Sequence, residues 1–410
     1  MPPMERSENP LRTGVKFGLY DWASSPLPAL HATFIFPVYF ATSVMPDGGS
    51  AAWAWMNAAA ALIIAFLAPL LGVVADHFAS RKTIMLMLTL IASLAASALW
   101  WVTPDVDAAL LALIVSAIVI VASELSFVAY NALLPQLAER SVIGRVSGVA
   151  WGMGYFGAII CLVLMLAVFV LPETPPFGLD PATLEHIRIT MPLAGLWFAL
   201  FAVPFFLLIR EGPRTSKPFL TGLKQGWGAV RSTPGLLRFL LARMLFADAL
   251  VTLFAMGGIF AARVHGFSQT DVLIFAIILN ITAGIGALVG GKADDHLGSL
   301  MTIRWALILM ILLGGAAIIA QSPPMFWVVG SLLGLFVGPL QASSRSMVAR
   351  LAPDGTESRV FGFMMLTGKA TAFLGPFFYG LLVTITESDR VGMTVVIVLM
   401  ALGLVLLPRR

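Results

Sequence analysis

The sequence predicts an all-α membrane protein with twelve transmembrane helices in two six-helix bundles. Of its 410 residues, 59% are hydrophobic and only 11% are charged, whereas a soluble protein carries about 25% charged residues. Twelve apolar stretches follow one another along the chain, and its basic residues cluster in alternate connections between them. This composition excludes a soluble globular domain and a disordered chain.

Each apolar stretch is bounded by charge, proline or glycine, and most reach the length of about 20 residues that a helix needs to cross a bilayer. Apolar residues surround the whole helix circumference, and strand-period alternation is absent, which argues against a lipid-facing β-barrel. The first stretch is too long for a signal-peptide core, so we expect a retained helix. The stretches cover residues 15–45, 51–75, 83–103, 108–131, 146–171, 190–209, 236–262, 271–291, 302–321, 325–348, 358–385 and 391–407.

The basic residues predict the orientation in the membrane. Nineteen of the 25 lysines and arginines lie near the termini or in one set of alternate connections. The opposite side holds three, and three more lie within spans: Arg188, Arg263 and Arg390, then Arg243, Arg345 and Lys369. Because cytoplasmic loops are enriched in lysine and arginine, we expect both termini in the cytoplasm of a bacterial inner (plasma) membrane.

The longest predicted cytoplasmic connection divides the chain into three parts: a six-helix bundle at 1–209, a linker at 210–235 and a second bundle at 236–410. Within the linker, Leu220, Leu223, Trp227 and Val230 recur at helical spacing. This pattern is typical of an amphipathic helix at a membrane surface. A solvated basic linker is the alternative.

Two short motifs of the first half recur in the second half at nearly one offset. Segment 72–80 has a counterpart at 291–299, an offset of 219, and segment 145–148 has one at 359–362, an offset of 214. These echoes indicate a duplicated six-helix unit. Parallel repeats of this kind are a recurrent transporter architecture, with the substrate site between the halves near the bilayer midplane.

The connection after the second stretch resembles the loop motif of the major facilitator superfamily. Ala79 stands where a glycine is usual, and His77 where a basic residue is usual. The residues that match the motif are Gly72, Asp76, Arg81 and Lys82. The resemblance implies the major facilitator fold.

Four further runs resemble one branch of that superfamily, the autophagy-linked vacuolar amino-acid effluxers and their bacterial relatives. They are residues 20–23, 130–135, 243–258 and 368–376. The resemblance extends over essentially the whole chain. It implies transport without fixing a substrate.

Five ionisable residues lie well within spans, where charge is costly and marks functional candidates: Asp21, Glu124, Arg243, Asp248 and Lys369. The resemblance implies that helices one, four, seven and ten line a central cavity, with eleven beside them. Counted from the cytoplasmic starts of their helices, Asp248 and Lys369 both lie about 16 to 18 Å deep, so we predict that they pair. Salt bridges that only fix helix packing are the alternative.

If all five were ionised, their net charge would be negative by one. An uncompensated carboxylate at low dielectric tends to take a proton. These five residues are therefore our candidates for substrate and proton binding, although the transported species itself is an alternative source of the missing positive charge.

The loop motif and its echo predict a gate made of Gly72, Asp76, Arg81, Lys82, Gly291 and Asp295. Asp76 and Asp295 lie where a helix enters the cytoplasm. There, a carboxylate accepts hydrogen bonds from the N-terminal end of a neighbouring helix or from an arginine. We expect such contacts to close the cytoplasmic side, with plain surface anchoring as the alternative.

The sequence thus predicts a secondary active transporter that moves a small polar solute by alternating access, coupled to protons. Amino acids or similar zwitterions are the leading substrate, and a drug or organic-anion carrier is the alternative within the superfamily. A non-cycling receptor or scaffold is a second alternative. Motifs for a catalytic nucleophile or a metal site are missing, so we expect no enzyme, no catalytic residue, no cofactor and no metal.

The partners expected of such a protein are a small-molecule substrate, protons or another cation, and membrane lipid. We expect no nucleic acid, because the net charge of +4 is explained by the basic residues of the cytoplasmic side. We also expect the protein to be a monomer.

Overall fold

The computed structural model describes residues 9–47, 49–77, 80–210, 219–267 and 269–408. Within these ranges the chain is helical and contains no strand. Twelve of the helices are long and apolar enough to cross a membrane. The predicted fold class, twelve helices in two bundles of six, is confirmed.

The first six membrane helices alternate in direction and are joined by short connections. Short helical turns flank several of them, at Leu99–Trp101, Val106–Ala108, Leu134–Leu137, Leu166–Val170, Pro176–Gly178 and Glu185–Arg188. The six helices are α1 (Pro10–Val44), α2 (Gly49–His77), α3 (Arg81–Ala98), α4 (Ala109–Asn131), α5 (Ile143–Met165) and α6 (Thr190–Leu208).

A connecting helix, Phe219–Ser232, leads into the second set of six. One of these, α11, is in two segments. The six are α7 (Leu236–His265), α8 (Gln269–Leu297), α9 (Ser299–Ile319), α10 (Pro323–Leu351), α11 (Glu357–Ala370 and Leu374–Thr386) and α12 (Asp389–Leu406).

Helix α1 is irregular beyond Ser24, where π-helical turns at Ala29–Phe34 and Phe40–Val44 alternate with short α-helical turns. Pro26, Pro28 and Pro37 lie in this region. Proline has no N–H to donate and its ring clashes with the preceding turn, so the regular hydrogen-bond ladder cannot continue through it. The exposed backbone groups are satisfied by wider π-type turns.

Glycines let α2 and the first segment of α11 come close together across the two halves. A Cβ on Gly72 would lie 2.6 Å from the carbonyl oxygen of Ser358, and a Cβ on Gly362 would lie 2.6 Å from that of Ala68. Both distances are far below van der Waals contact. Any larger residue at either position therefore has to push the two helices apart.

The pair α5 and α8 repeats this arrangement. A Cβ on Gly291 would lie 2.7 Å from the carbonyl oxygen of Gly144, and one on Gly148 would clash with the backbone of Ala287. Gly291 and Gly148 are the sequence echoes of Gly72 and Gly362. The duplicated motifs thus build the same close helix contact twice, each time between one helix of the first half and one of the second.

The connecting helix packs on α2 and on the first segment of α11. Arg359 donates a hydrogen bond to Gln225 Oε1 over 3.2 Å, and the rings of Trp227 and Phe363 lie 5.8 Å apart. Val230 is fully buried. The helix therefore contacts both halves of the molecule at one end.

The predicted amphipathic pattern is present in part of this helix. Lys224 and Arg231 are exposed, on the side away from the buried Val230. The side chains of Leu220 and Leu223 lie outside the part that the structure describes. A position at the membrane surface, and the division of the chain at 209/210 and 235/236, stay predictions.

Candidate functional site

Helix α1 begins and helix α12 ends at one end of the helix bundle, which we call the terminal end. There, Arg238 at the start of α7 donates a hydrogen bond to the carbonyl oxygen of Leu406, and Arg304 at the start of α9 donates one to that of Pro408. The contacts between the two halves described below begin at this end and extend toward the centre.

Arg81, a predicted gate residue, joins the halves at the terminal end. Its guanidinium lies 3.3 Å from Glu357 Oε2, and its Nε donates a hydrogen bond to Ser358 Oγ over 2.9 Å. Arg81 begins α3, whereas Glu357 and Ser358 begin α11. The ion pair is buried, so it holds the two helix ends together away from water.

Asp295, another predicted gate residue, binds the N-terminus of α5. Its carboxylate accepts hydrogen bonds from the backbone N–H of Gly144 (2.8 Å) and of Arg145 (3.1 Å), and from Arg145 Nε (2.7 Å). Arg350 on α10 donates a further bond over 3.1 Å. These are the helix N-terminus and arginine donors that the sequence predicts for this aspartate. Its role as a gate stays a prediction.

The equivalent aspartate of the first half, Asp76, has its side chain outside the part that the structure describes. Lys82, also predicted to be a gate residue, acts within its own half. Its Nζ donates hydrogen bonds to the carbonyl oxygens of Phe206 (2.6 Å) and Ile209 at the C-terminal end of α6. A cation is favourable there because the helix dipole is negative at that end.

Asp294 belongs to the same network, and the sequence analysis missed it. This buried carboxylate accepts hydrogen bonds from Ser299 Oγ over 2.9 Å and from Ser346 Oγ, and it pairs with Arg350. Arg350 also donates to the carbonyl oxygen of Arg140 in the first half over 2.9 Å. The sequence could have indicated Asp294 through its position next to Asp295, because two adjacent carboxylates need more than one cation.

Closer to the centre, Arg345 on α10 reaches across to the first half. Its Nη1 donates to Asp21 Oδ2, while its Nε donates to Ser147 Oγ over 2.9 Å and its Nη2 to the Ser147 carbonyl oxygen over 2.7 Å. Tyr130 donates a further hydrogen bond to Asp21 Oδ2 over 2.7 Å. The predicted site residue Asp21 is therefore held by a cation that our candidate set did not contain.

Three aromatic rings surround this guanidinium. The Arg345 Cζ atom lies 5.4 Å from the ring centre of Phe17, 5.7 Å from that of Tyr130 and 5.4 Å from that of Trp151. At such distances the ring faces attract the cation. Arg345 was visible in the sequence as a basic residue within a span, and including it removes the predicted excess of negative charge.

Lys369 pairs with Glu124, so the predicted pair of Lys369 and Asp248 is wrong. The Lys369 Nζ atom lies 2.9 Å from Glu124 Oε1. The side chains are 27% and 35% exposed, respectively, so the pair is only partly buried. The helices are continuous from their cytoplasmic ends to both residues, but equal depth does not determine which way a side chain points.

Asp248 instead holds the start of the second segment of α11. Its Oδ2 accepts a hydrogen bond from the backbone N–H of Gly375 over 3.1 Å. Its Oδ1 has no hydrogen-bond partner among the residues described, and Asp248 is fully buried. A Cβ on Gly375 would lie 3.1 Å from that oxygen, so the absence of a side chain there permits the close approach.

Arg243 lies beside the pair of Glu124 and Lys369. It donates a hydrogen bond to the carbonyl oxygen of Met364 over 3.3 Å, and it interacts electrostatically with Glu124. Its Nε has no partner within the described part of the chain. Glu124, Arg243 and Lys369 form what we call the central cluster, which carries one more positive than negative charge.

The central cluster lies between α4, α7 and α11, with the ion pairs of the terminal end on one side of it. On the other side, the second segment of α11 packs against α7 and α12 of its own half. The two halves are therefore closed together at the terminal end. Across the described ranges, no group of three His, Cys, Asp or Glu side chains is placed to hold a metal ion.

Comparison with protein families matches residues 38–409 to the family described as "Vacuole effluxer Atg22 like". The MFS-type transporter YxiO of Bacillus subtilis is 25% identical over 402 residues, which are 95% of this chain and 92% of that protein. Autophagy-related protein 22 of Cryptococcus neoformans is 24% identical over 293 residues, 65% of this chain and 50% of that protein. The chain thus spans about half the length of the fungal relatives.

Solved structures of major facilitator transporters share the fold. The outward conformation of FucP superimposes with a TM-score of 0.74 at 15% identity, covering 97% of this chain and 98% of that one. The human organic anion transporter MFSD10 gives a TM-score of 0.64 at 16% identity, covering both chains completely. At these identities the likeness concerns the fold alone.

Proposed function

The chain belongs to the Atg22-like vacuole effluxer family of major facilitator transporters, and from this premise we propose that it carries small zwitterions across a bacterial inner membrane. Members of this superfamily are secondary transporters that bind small-molecule substrates. Amino acids are the zwitterions we propose for this chain, with transport by alternating access and coupled to protons.

The central cluster is the observation that carries the substrate proposal. An amino acid presents an ammonium and a carboxylate group a few ångströms apart. Glu124 supplies a carboxylate for the ammonium group, while Lys369 and Arg243 supply cations for the carboxylate. Arg243 Nε lacks a partner in the described part of the chain, and an arginine is well suited to bind a carboxylate through two parallel hydrogen bonds.

The pair of Glu124 and Lys369 also explains why neither of these side chains is an unpaired charge when the site is empty. The two side chains neutralise each other at 2.9 Å while no solute is bound. A zwitterion that enters between them replaces one ion pair by two, so the net charge of the site does not change. Binding therefore does not leave an unpaired ion in the membrane interior, which would be costly.

Alternating access requires that one end closes while the other opens. The contacts that close the terminal end join Arg81 to Glu357 and Asp295 to Arg145 across the halves. The distribution of basic residues predicts that this end faces the cytoplasm. We therefore propose that the conformation described here presents the central cluster to the outside.

An organic-anion carrier is the competing proposal, and the excess positive charge of the central cluster favours it. The two proposals differ in what they require of Glu124. A zwitterion needs this carboxylate for its ammonium group, whereas an organic anion is repelled by it.

The test uses the full chain reconstituted in liposomes, with counterflow of labelled L-alanine and L-leucine as the readout. Unlabelled amino acids, their N-acetyl derivatives and the corresponding decarboxylated amines serve as competitors. We expect competition from intact amino acids only, and loss of counterflow in Glu124→Gln and Lys369→Gln. Glu139→Gln, which changes an exposed glutamate of the α4–α5 connection, is the matched control and keeps wild-type counterflow.

Two results would contradict the proposal. Equal competition by N-acetyl derivatives, together with retained flux in Glu124→Gln, would identify an organic-anion carrier. Absence of counterflow for every compound, in protein that binds amino acids, would identify a receptor that does not cycle.

A further inference from the structure

We propose that Asp248 is the proton-binding site of this carrier and that it acts through the break in α11. This inference rests on the proposed function, because it assigns the coupling proton of that transporter to one carboxylate. It differs from the predicted pair of Asp248 and Lys369, because the two side chains do not bind each other here. Asp248 acts on Lys369 through the backbone of α11 that leads from Gly375 back to Lys369.

The break creates two helix ends inside the membrane. The first segment of α11 ends at Ala370, and the second begins at Leu374. A helix carries partial negative charge at its C-terminal end and partial positive charge at its N-terminal end. Lys369 lies at the C-terminal end of the first segment, and Asp248 lies at the N-terminal end of the second, so each charge matches the dipole beside it.

Asp248 is the link between α7 and the second segment of α11. Its carboxylate accepts the N–H of Gly375 over 3.1 Å, and a hydrogen bond to a charged group is roughly twice as strong as one between neutral groups. Protonation of Asp248 removes the charge and weakens this bond. The second segment then loses its attachment to α7 at the point where it begins.

The surroundings of Asp248 favour this exchange of a proton. The residue is fully buried, and its Oδ1 has no partner among the described residues. Burying an ionised group with an unmet oxygen is costly, and a bound proton cancels that charge. The proton binds to a lone pair of Oδ1 on entry and leaves from the same atom on release, so no bond other than O–H changes.

Charged groups on four of the helices packed against α7 bind partners other than Asp248. Lys369 on α11 binds Glu124, Arg345 on α10 binds Asp21, and Asp389 on α12 binds both Arg263 and Tyr379. Asp294 and Asp295 on α8 bind arginines at the terminal end. Arg243, on α7 itself, donates to the Met364 carbonyl oxygen. None of these contacts involves Asp248, so none of the cations named here pairs with it, and the N-terminal end of the second segment of α11 stabilises its charge.

The geometry couples this proton to the substrate through Lys369. Only residues 370–374 separate Lys369 from Gly375. When the second segment of α11 moves away from α7, the turn at 371–373 moves with it, and Lys369 is displaced relative to Glu124. A proton on Asp248 thereby changes the central cluster that holds the zwitterion.

The first experiment needs no substrate, so its outcome does not depend on the zwitterion proposal. Spin labels are placed on cysteines at Thr103 and Thr386, which are exposed on the first and second halves at the end opposite the terminal end. The native Cys161 is buried and does not compete for the label. Distances between the labels are measured in the full chain in nanodiscs at pH 5.5 and at pH 8.5.

In the wild-type chain we expect a population with a shorter distance that grows at pH 5.5, as the far end closes. Asp248→Asn is expected to show the pH 5.5 distribution at both pH values, because its side chain is permanently neutral. Asp248→Glu is expected to restore a response to pH with a shifted midpoint. Glu139→Gln, which neutralises an exposed carboxylate of the α4–α5 connection, is expected to keep the response.

The inference is overturned by an unchanged response to pH in Asp248→Asn, by the absence of a response in the wild-type chain, or by loss of the response in Glu139→Gln. If Asp248→Asn does not fold, the test relies on Asp248→Glu. An unchanged pH midpoint of the distance change in that variant would contradict the proposal. Sodium ions that produce the pH 5.5 distribution at pH 8.5 would also overturn it.

The second measurement separates this inference from the proposed function. In liposomes, Asp248→Asn is expected to keep amino-acid counterflow while losing accumulation driven by a proton gradient. Failure of counterflow in the wild-type chain would reject the zwitterion and leave the spin-label result standing. Proton-driven accumulation that survives in Asp248→Asn would reject Asp248 as the proton site and leave the zwitterion proposal standing.

Discussion

Arg345 on α10 donates a hydrogen bond to Asp21 on α1 over 3.0 Å, and both side chains are only 3% exposed. The two residues are separated by most of the chain and belong to different halves. Tyr130 and Ser147 complete the hydrogen bonding on the first half's side. This buried ion pair is therefore a contact that has to break whenever the two halves separate at this level.

We expect that Arg345→Ala lowers the free energy of unfolding by about 3 to 5 kcal/mol, because it leaves Asp21 as a buried charge without its cation. The double variant Asp21→Asn/Arg345→Gln is expected to be less destabilised than Arg345→Ala. Thermal unfolding of the detergent-purified protein measures both. Arg231→Gln is the control, since Arg231 is exposed on the connecting helix and surface substitutions usually change the free energy of unfolding by no more than about 0.5 kcal/mol. Equal losses of unfolding free energy in Arg345→Ala and in the exposed-arginine control would contradict this prediction.

Lys369→Gln is expected to have the opposite profile, with little effect on stability and a large effect on transport. Its pair with Glu124 is partly exposed, and Arg243 remains to interact with Glu124, so the loss of stability is expected to be smaller than that of Arg345→Ala. Counterflow of amino acids is expected to be lost, because the substrate carboxylate loses one of its two cations. A variant that is strongly unfolded, or one that transports normally, would contradict this prediction.

Gly291→Val is expected to open the terminal end. Its Cβ would lie 2.7 Å from the carbonyl oxygen of Gly144, so α5 and α8 have to separate. Spin labels at Glu139 and Asp354, in exposed connections of the first and second halves, are expected to move apart. Gly315→Val on α9 is the control, since a Cβ there meets no atom within 4 Å. An unchanged distance in Gly291→Val would argue against a gate at this contact.

Stability is expected to fall in acid because of His265, which lies on α7 beyond the apolar span Leu236–Gly258. Burial, followed by the charge of Arg390, lowers the pKa of His265 below its usual value. The folded state therefore binds this proton less readily than the unfolded state. Stability is complete above the unfolded-state pKa of about 6.5 and is lost as pH falls toward the folded-state pKa.

His265→Phe tests this expectation. Phenylalanine keeps the stacking that places the His265 ring 4.4 Å from that of Phe326 and removes the proton. The variant is expected to lose less thermal stability than the wild-type protein between pH 7.5 and pH 5. The same loss in both proteins would show that another group is responsible.

The positions of the candidate charges were predictable, but their partners were only partly so. Asp295 binds the helix N-terminus and the arginine that its place after α8 predicts, because these donors follow from the duplicated motif. Lys369 binds Glu124 and not Asp248, because equal depth does not fix the direction of a side chain. Asp248 instead binds the N–H of Gly375, beyond the break in α11 between Ala370 and Leu374. A break inside a span leaves the apolar pattern unchanged, so hydropathy does not reveal it.

The sequence by itself determined the membrane class, the twelve helices, the two halves and the residues at which charge enters the spans. These properties are local, because the length of an apolar run and the presence of a charge within it do not depend on packing. Only the tertiary structure decided that Arg345 neutralises Asp21, that Lys369 binds Glu124 and that Asp248 caps the second segment of α11. Pairing depends on which face of a helix points inward and on how closely two halves approach, and both are set by contacts between residues far apart in the chain.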